Sequence, residues 1–231
     1  MTTTRAGGVS LPPFDTFNLG DHVGDDPAAV AANRKRLTTA IGLGDDGVVW
    51  MNQVHGDHVV VVDGPLQPGA AAVDKTDALV SRTPRLALAV VTADCVPVLM
   101  ADARAGVVAA VHAGRVGCQI GVVARAVETM LDVGANAEDI SVLLGPAVSG
   151  RNYEVPAEMA AEVEEVLPGS RTTTARGTPG LDLRAGIARQ LTALGITAID
   201  VDPRCTVEDR TLFSHRRDNP TGRLASLVWM E

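Results

Sequence analysis

The 231-residue chain is 46% hydrophobic and 21% charged, which gives it enough apolar material for a core and excludes a disordered tail. Its 20 basic against 28 acidic groups leave a net charge of -8, a field that repels duplex nucleic acid and anionic membrane surfaces. The 23 Gly and 13 Pro follow no three-residue period, excluding a collagen-like chain, and an aromatic content of 3% leaves Val, Ala, Leu and Ile to fill the interior.

The first residues, MTTTRAGG, lack the apolar stretch of a secretory signal. Asp25-Asp26-Pro27 opens a predicted helix over residues 27–37, with a carboxylate as N-cap and Pro at the first helical position. Residues 48–54 and 58–63 read as strands joined by a turn at Gly56-Asp57. Three Val/Ala/Leu-rich strands follow over 86–92, 96–102 and 107–112, and their near-continuous apolarity points to burial on both faces. Residues 116–133 have helical spacing, with Gly134 as a left-handed C-cap. Then come a strand over 140–144, a helix over 156–166, a loop over 168–180 (PGSRTTTARGTPG) and a helix from its Asp182 cap to Leu194, stopped by Gly195. Strands over 199–202 and 224–230 close the pattern. The expected fold is α/β (α+β): a single layered domain over 1–231, with mixed sheets and helices packed outside. The longest apolar run, 86–93, is broken by Asp94 long before it could span a bilayer, and no two of the three Cys lie at short spacing. A soluble, cytoplasmic protein with reduced thiols is therefore expected, its oligomeric state left open.

The five His are His22, His55, His58, His112 and His215; the three Cys are Cys95, Cys118 and Cys205. Three segments place a metal-ligand type at a strand end or the turn beyond: NQVHG at 52–56, TADCVP at 92–97 and VHAG at 111–114. His55, Cys95 and His112 lie too far apart in sequence for a local knuckle, so only the tertiary fold can unite them. Taken singly, each also reads as a packed Cys or a hydrogen-bonded core His. Gly56 and Gly114 mark places where a backbone can approach a ligand closely, and Asp94 is a charge set after an apolar run.

The chain resembles the YfiH or laccase-domain family, whose bacterial members carry the names polyphenol oxidase, purine nucleoside phosphorylase and peptidoglycan editing factor. Eight ordered blocks carry the resemblance: TTRAGGVS (3–10), FNLGDHVGDDPAAVAANRKRL (17–37), NQVHG (52–56), DALVS (77–81), TADCVPVLMAD (92–102), VHAG (111–114), LGPAVSGRNYEV (144–155) and CTVEDRTLFSHRRDNPTGRLASL (205–227). It implies that His55, Cys95 and His112 together bind one zinc ion. Two imidazoles and a thiolate suit zinc, and three protein ligands leave a fourth position open, the catalytic rather than the structural pattern. It also implies a nucleoside and phosphate as small-molecule partners: phosphorolysis of adenosine, inosine, guanosine and 5′-methylthioadenosine, with adenosine deamination as a second activity. Asp94, Cys95 and His112 are then the catalytic candidates, Asp94 either orienting a ligand, moving a proton or serving as a turn carboxylate bonded to backbone amides. Candidate substrate-binding residues are Arg5, Arg34, Asn52 and Gln53, with Arg216, Arg217 and Arg223 as further cations for a phosphate cradle. With so few rings, Phe213, Tyr153 or aliphatic side chains must face a purine.

A second class of function treats Cys95 and His112 as the dyad of a cysteine hydrolase that cleaves an amide such as L-Ser on UDP-N-acetylmuramic acid; it requires a metal-free, low-pKa Cys95. A third is copper oxidation of phenols, for which five His and no His-x-His pair cannot build a trinuclear centre, although copper at a lone His2Cys site with a weak Met51 or Met100 fits by ligand type. A fourth is a metal-stabilised binding module. Three places depart from the family pattern: Arg115 follows HAG where many relatives have Trp, Gly150-Arg151-Asn152 replaces a stretch that often carries Cys, and His215 stands where Tyr is common. Cys205 lines the site or packs in the core, Cys118 packs in the core, and His22 and His58 have ordinary surface contexts.

Overall fold

Pro27–Ala40 forms helix α1 in the computed structural model, which describes residues 1–44, 46–67 and 69–231. Its cap is the one the sequence predicts: the Asp26 carboxylate accepts the Ala28 amide at 2.9 Å. The next strand is shorter than predicted. Only Val48–Val49 (β1) pairs as a strand, because the Gln53 side-chain amide takes over the role of a neighbouring strand. It donates to the Val91 carbonyl and accepts from the Val91 amide, both at 2.8 Å. The chain then turns through His55 at φ 60.

Val59–Val62 (β2) and Ala78–Ser81 (β3) follow, and β3 is a strand that the sequence pattern does not show, since only Ala-Leu-Val separates Asp77 from Ser81. Ala87–Thr92 (β4), Val96–Asp102 (β5) and Val107–Ala113 (β6) match the three predicted strands and are buried almost throughout. The predicted helix over 116–133 is instead two helices, Arg115–Ile120 (α2) and Val122–Asp132 (α3), broken where Gly121 adopts a left-handed φ of 93. Gly134, at φ 105, ends α3 as predicted. Ile140–Leu144 is β7 and Ala157–Val166 is α4. The predicted loop over 168–180 contains an antiparallel hairpin, Arg171–Thr173 (β8) with Pro179–Leu181 (β9). Leu183–Ala193 (α5) is capped by Asp182, which accepts the Ala185 amide at 3.1 Å. Ala198–Val201 (β10) and Leu224–Val228 (β11) complete the set.

The main sheets stack. A six-stranded mixed sheet runs β10-β7-β5-β6-β3-β2, and a three-stranded one runs β1-β4-β11. Side-chain alternation assigns the layers. Val98, Met100, Ala109 and Val111 face the cluster formed with α3, α4 and α5, whereas Leu99, Val108 and Ala110 meet Leu88 and Val90 between the sheets. Ala87, Ala89 and Val91 face outward onto the cluster that includes Leu37 of α1. The result is a mixed α/β domain with two sheets between helices, and the apolar strands are buried on both faces as their composition predicts. Among the described residues no helix is long and apolar enough to cross a membrane. The step from β4 to β5 passes between the two sheets, and Asp94 and Cys95 sit in that crossing.

Candidate metal centre

His112 lies near the end of β6, buried, opposite Pro97 of β5 in the antiparallel register. Cys95 immediately precedes β5, so the same register brings it beside His112. On the other side of β6, Ala78 pairs with Val111, which sets Asp77 against His112. Asp77 is wholly buried, and its Oδ1 accepts from His112 Nδ1 at 2.8 Å. That bond fixes the Nδ1–H tautomer and leaves Nε2 as the donor atom for a metal. The same carboxylate accepts the amides of Val54 (3.1 Å), His55 (3.0 Å) and Gly56 (2.7 Å), holding the turn that carries His55. Burial pushes the Asp77 pKa up, but His112 and these amides outweigh it and leave it below the ordinary value.

The donor atoms of His55, Cys95 and His112 all lie within 4.8 Å of one another, with Cys95 Sγ 3.9 Å from His55 Nε2 and the two imidazoles edge to face at 4.7 Å. Burial raises the Cys95 thiol, yet the charge and hydrogen bond of His112 and the contact with His55 bring it down to about 6. Burial likewise opposes charge on His112, and Cys95 and Asp77 together raise it to about 9. The space for this cluster depends on Gly114, where a Cβ would lie 2.8 Å from His55 Cδ2 and 3.2 Å from Cys95 Sγ.

Asp94, at φ 93, presents neither carboxylate oxygen unbonded. Thr206 donates its hydroxyl to one at 2.5 Å, and the Arg216 amide donates to the other at 2.6 Å. Two cavities open on the cluster and share Ala93, Cys95 and His215. The larger, about 420 Å³, is lined by Tyr153, Val148, Leu183, Arg115 and Arg216; the smaller, about 240 Å³, by His22, Gln53, His55, Thr92, His112 and Arg223.

The other candidates divide. Arg216 and Arg223 line the cavities, and Gln53 does so while bonded to Val91. Arg5 and Arg34 line neither: Arg5 bonds Asp15 and lies over the Phe213 ring, and Arg34 pairs with Asp21 and lies over Trp50. Asn52 points to Asp74 at 3.0 Å, and Arg217 is spent on the carbonyls of Thr206 and Leu212. Phe213 is wholly buried, so Tyr153 is the ring that faces the larger cavity. Cys118 is buried, and burial with the nearby Cys95 pushes it up to about 12. Cys205 is buried and accepts the Ser149 amide. His22, read from sequence as ordinary surface, lines the smaller cavity, and Asp77 escaped the sequence reading although its carboxylate stands just before a buried Ala-Leu-Val run.

Fold and site together define a mixed α/β protein with a His2Cys cluster able to hold a metal ion at the junction of two cavities. The family model described as multi-copper polyphenol oxidoreductase laccase matches residues 1–231. The chain is 77% identical over 231 residues to a Mycobacterium tuberculosis protein named purine nucleoside phosphorylase, covering 100% of this chain and 91% of that one. It superposes on YlmD from Geobacillus stearothermophilus with a TM-score of 0.92 at 33% identity, and on a Bacillus licheniformis protein called YfiH with 0.90 at 32%. Each match covers 100% of this chain, with 90% of YlmD and 91% of the YfiH protein. The chain belongs to the laccase-domain, or YfiH, family.

Proposed function

We propose that this protein is a zinc-dependent purine nucleoside phosphorylase that splits adenosine, inosine, guanosine and 5′-methylthioadenosine into base and ribose 1-phosphate, and that it also deaminates adenosine. The observation that carries the reading is the His55–Cys95–His112 cluster at the junction of two cavities. Its support is the name purine nucleoside phosphorylase carried by a relative 77% identical over all 231 residues of this chain.

The donor set fits zinc: two imidazoles and a low-pKa thiol converge within 4.8 Å, one imidazole is held in a single tautomer by a buried carboxylate, and one side stays open to the cavities. When bound, zinc supplies a Lewis acid that polarises an oxygen or activates water. In phosphorolysis a phosphate oxygen bonds to C1′ of the ribose as the bond from C1′ to the purine breaks; the bonding pair leaves with the purine, which takes up a proton. Tyr153, Val148 and Leu183 offer the purine apolar faces in the larger cavity, with Arg115 and Arg216 at its polar edge. Asp94 is a positioning residue: its bonds to Thr206 and the Arg216 amide tie the segment carrying His215 and Arg216 to the turn that carries Cys95.

One observation favours a second reading, a cysteine hydrolase: the Cys95 thiol at about 6, beside two imidazoles, is a nucleophile in the absence of metal. One comparison separates the two. Metal-assayed protein is incubated with adenosine plus phosphate and, separately, with UDP-N-acetylmuramic acid carrying L-Ser, and products are identified by mass. Adenine and ribose 1-phosphate support the phosphorylase; release of serine alone supports the hydrolase.

A further inference from the structure

The smaller cavity carries a cation, Arg223, that forms no salt bridge among the described residues and feels Asp94 and Cys95 only at longer range. Arg223 is half-buried, and the bonds its guanidinium makes among the described residues run from Nη1 to the carbonyls of Thr221 (3.0 Å) and Gly222 (3.2 Å). Arg5, Arg34 and Arg217, by contrast, each face an aspartate. A guanidinium has five N–H donors in a planar fork, so Nε and Nη2 have capacity for a ligand.

Two buried hydroxyls stand around the same cation. Thr92 Oγ1 and Thr221 Oγ1 are the buried side-chain polar atoms without a hydrogen-bond partner among the described residues, and each residue is 2% exposed. Thr92 lines the smaller cavity and Thr221 an adjoining one of about 210 Å³; His22, His215 and Arg223 line both. A buried hydroxyl without a partner is costly, and such groups mark places where a ligand completes the bonding. Rotation about Cα–Cβ redirects a threonine O–H without moving the backbone, and each of these residues lines one of the cavities. The carboxylate in contact with His22 among the described residues, that of Asp21, is already paired with Arg34 at 3.2 Å.

We infer that the smaller cavity and its extension form a subsite for a tetrahedral oxyanion, phosphate, held by Arg223 with the hydroxyls of Thr92 and Thr221 and flanked by His22 and His215. The inference rests on the phosphorolysis reading for the choice of phosphate; the cation without a salt bridge and the unpartnered hydroxyls point to an anion under either reading. The subsite shares a wall with His55, Cys95 and His112, so its occupant sits next to whatever the larger cavity holds. It also places a local cationic pocket in a chain of net charge -8.

Free phosphate and a nucleoside 5′-phosphate present the same chemistry, and separate titrations distinguish them. Metal-loaded protein is titrated calorimetrically with inorganic phosphate and with adenosine 5′-monophosphate, and inosine turnover is followed against phosphate concentration. T92V removes a hydroxyl that has no partner, so it leaves folding undisturbed, and R223Q removes the cation. Wild type is expected to bind inorganic phosphate saturably; R223Q should bind it about tenfold more weakly or worse, T92V several-fold more weakly, both with inosine binding unchanged. R176Q, in an exposed arginine outside this cavity, should bind phosphate as wild type does. Equal phosphate affinity in wild type and R223Q overturns the subsite, as does binding of the nucleotide without binding of inorganic phosphate. Arg223-dependent phosphate binding without any inosine turnover upholds the subsite and removes the phosphorylase reading instead.

Discussion

Asp77 takes bonds from three consecutive amides, Val54, His55 and Gly56, and from His112 Nδ1, and so links two residues of the His55–Cys95–His112 cluster from inside the protein. Asp77→Asn replaces one accepting oxygen with an NH2 group that faces amide donors. It is expected to weaken zinc binding about 10–100-fold and to cost about 1–3 kcal/mol of stability, measured by competition with a chromophoric chelator and by urea denaturation. His112→Ala should lose both metal and turnover while its far-ultraviolet circular dichroism stays that of wild type; unchanged turnover would sink the site assignment. The sequence marks each of the three residues by a short motif with a Gly or Pro within two positions, but only the family resemblance implies that they act together. Asp77 is not legible as a site residue, because its role exists only once β3 lies against β6. Arg5 and Arg34 fail as cavity residues for a related reason: an arginine in a motif carries no sign of the aspartate that will occupy it.

At the scale of elements, the sequence pattern succeeds where a segment is long and one rule governs it, as in α1 with its Asp26 cap or the continuous apolar runs of β4, β5 and β6. It fails where a local feature is overridden. A four-residue strand such as β3 is too short to show a period, Gly121 adopts a left-handed conformation inside an otherwise helical pattern, and the Gln53 side chain substitutes for strand backbone. The turn between β5 and β6 offers a test of one such local device. Buried Asp102 accepts the amides of Arg104 and Ala105, each at 2.9 Å, and of Asn136 at 2.8 Å. Burial raises its pKa, but these amides outweigh burial and hold it below the ordinary 3.8. A depressed folded pKa means the stabilisation is complete above the unfolded value and is lost as pH falls through the folded one. Asp102→Asn should therefore cost about 1–3 kcal/mol at pH 7 in urea denaturation, with the gap to wild type narrowing as the pH is taken below 3.8. A gap that stays constant with pH would contradict the assignment.

For the whole molecule, composition and strand pattern gave the layered α/β class but not the allocation of strands, since β4 and β5 are consecutive, equally apolar and yet belong to different sheets. That crossing makes the site, because it carries Cys95 from one sheet to the edge of the other, where His112 waits. The donors come from three separated parts of the chain, so zinc should bind the folded protein in preference to the unfolded chain. At about 100 times its dissociation constant, zinc is expected to add about 2.7 kcal/mol and to raise Tm by about 5–10 °C in a thermal melt, an effect absent from His112→Ala. The most direct test of the central claim measures turnover and metal together. Protein of known zinc content, the same protein after chelation, and the chelated protein given zinc again are each incubated with adenosine and phosphate. Zinc-dependent phosphorolysis predicts adenine and ribose 1-phosphate from the first, their loss in the second and their return in the third; undiminished products from protein verified to be metal-free would contradict it.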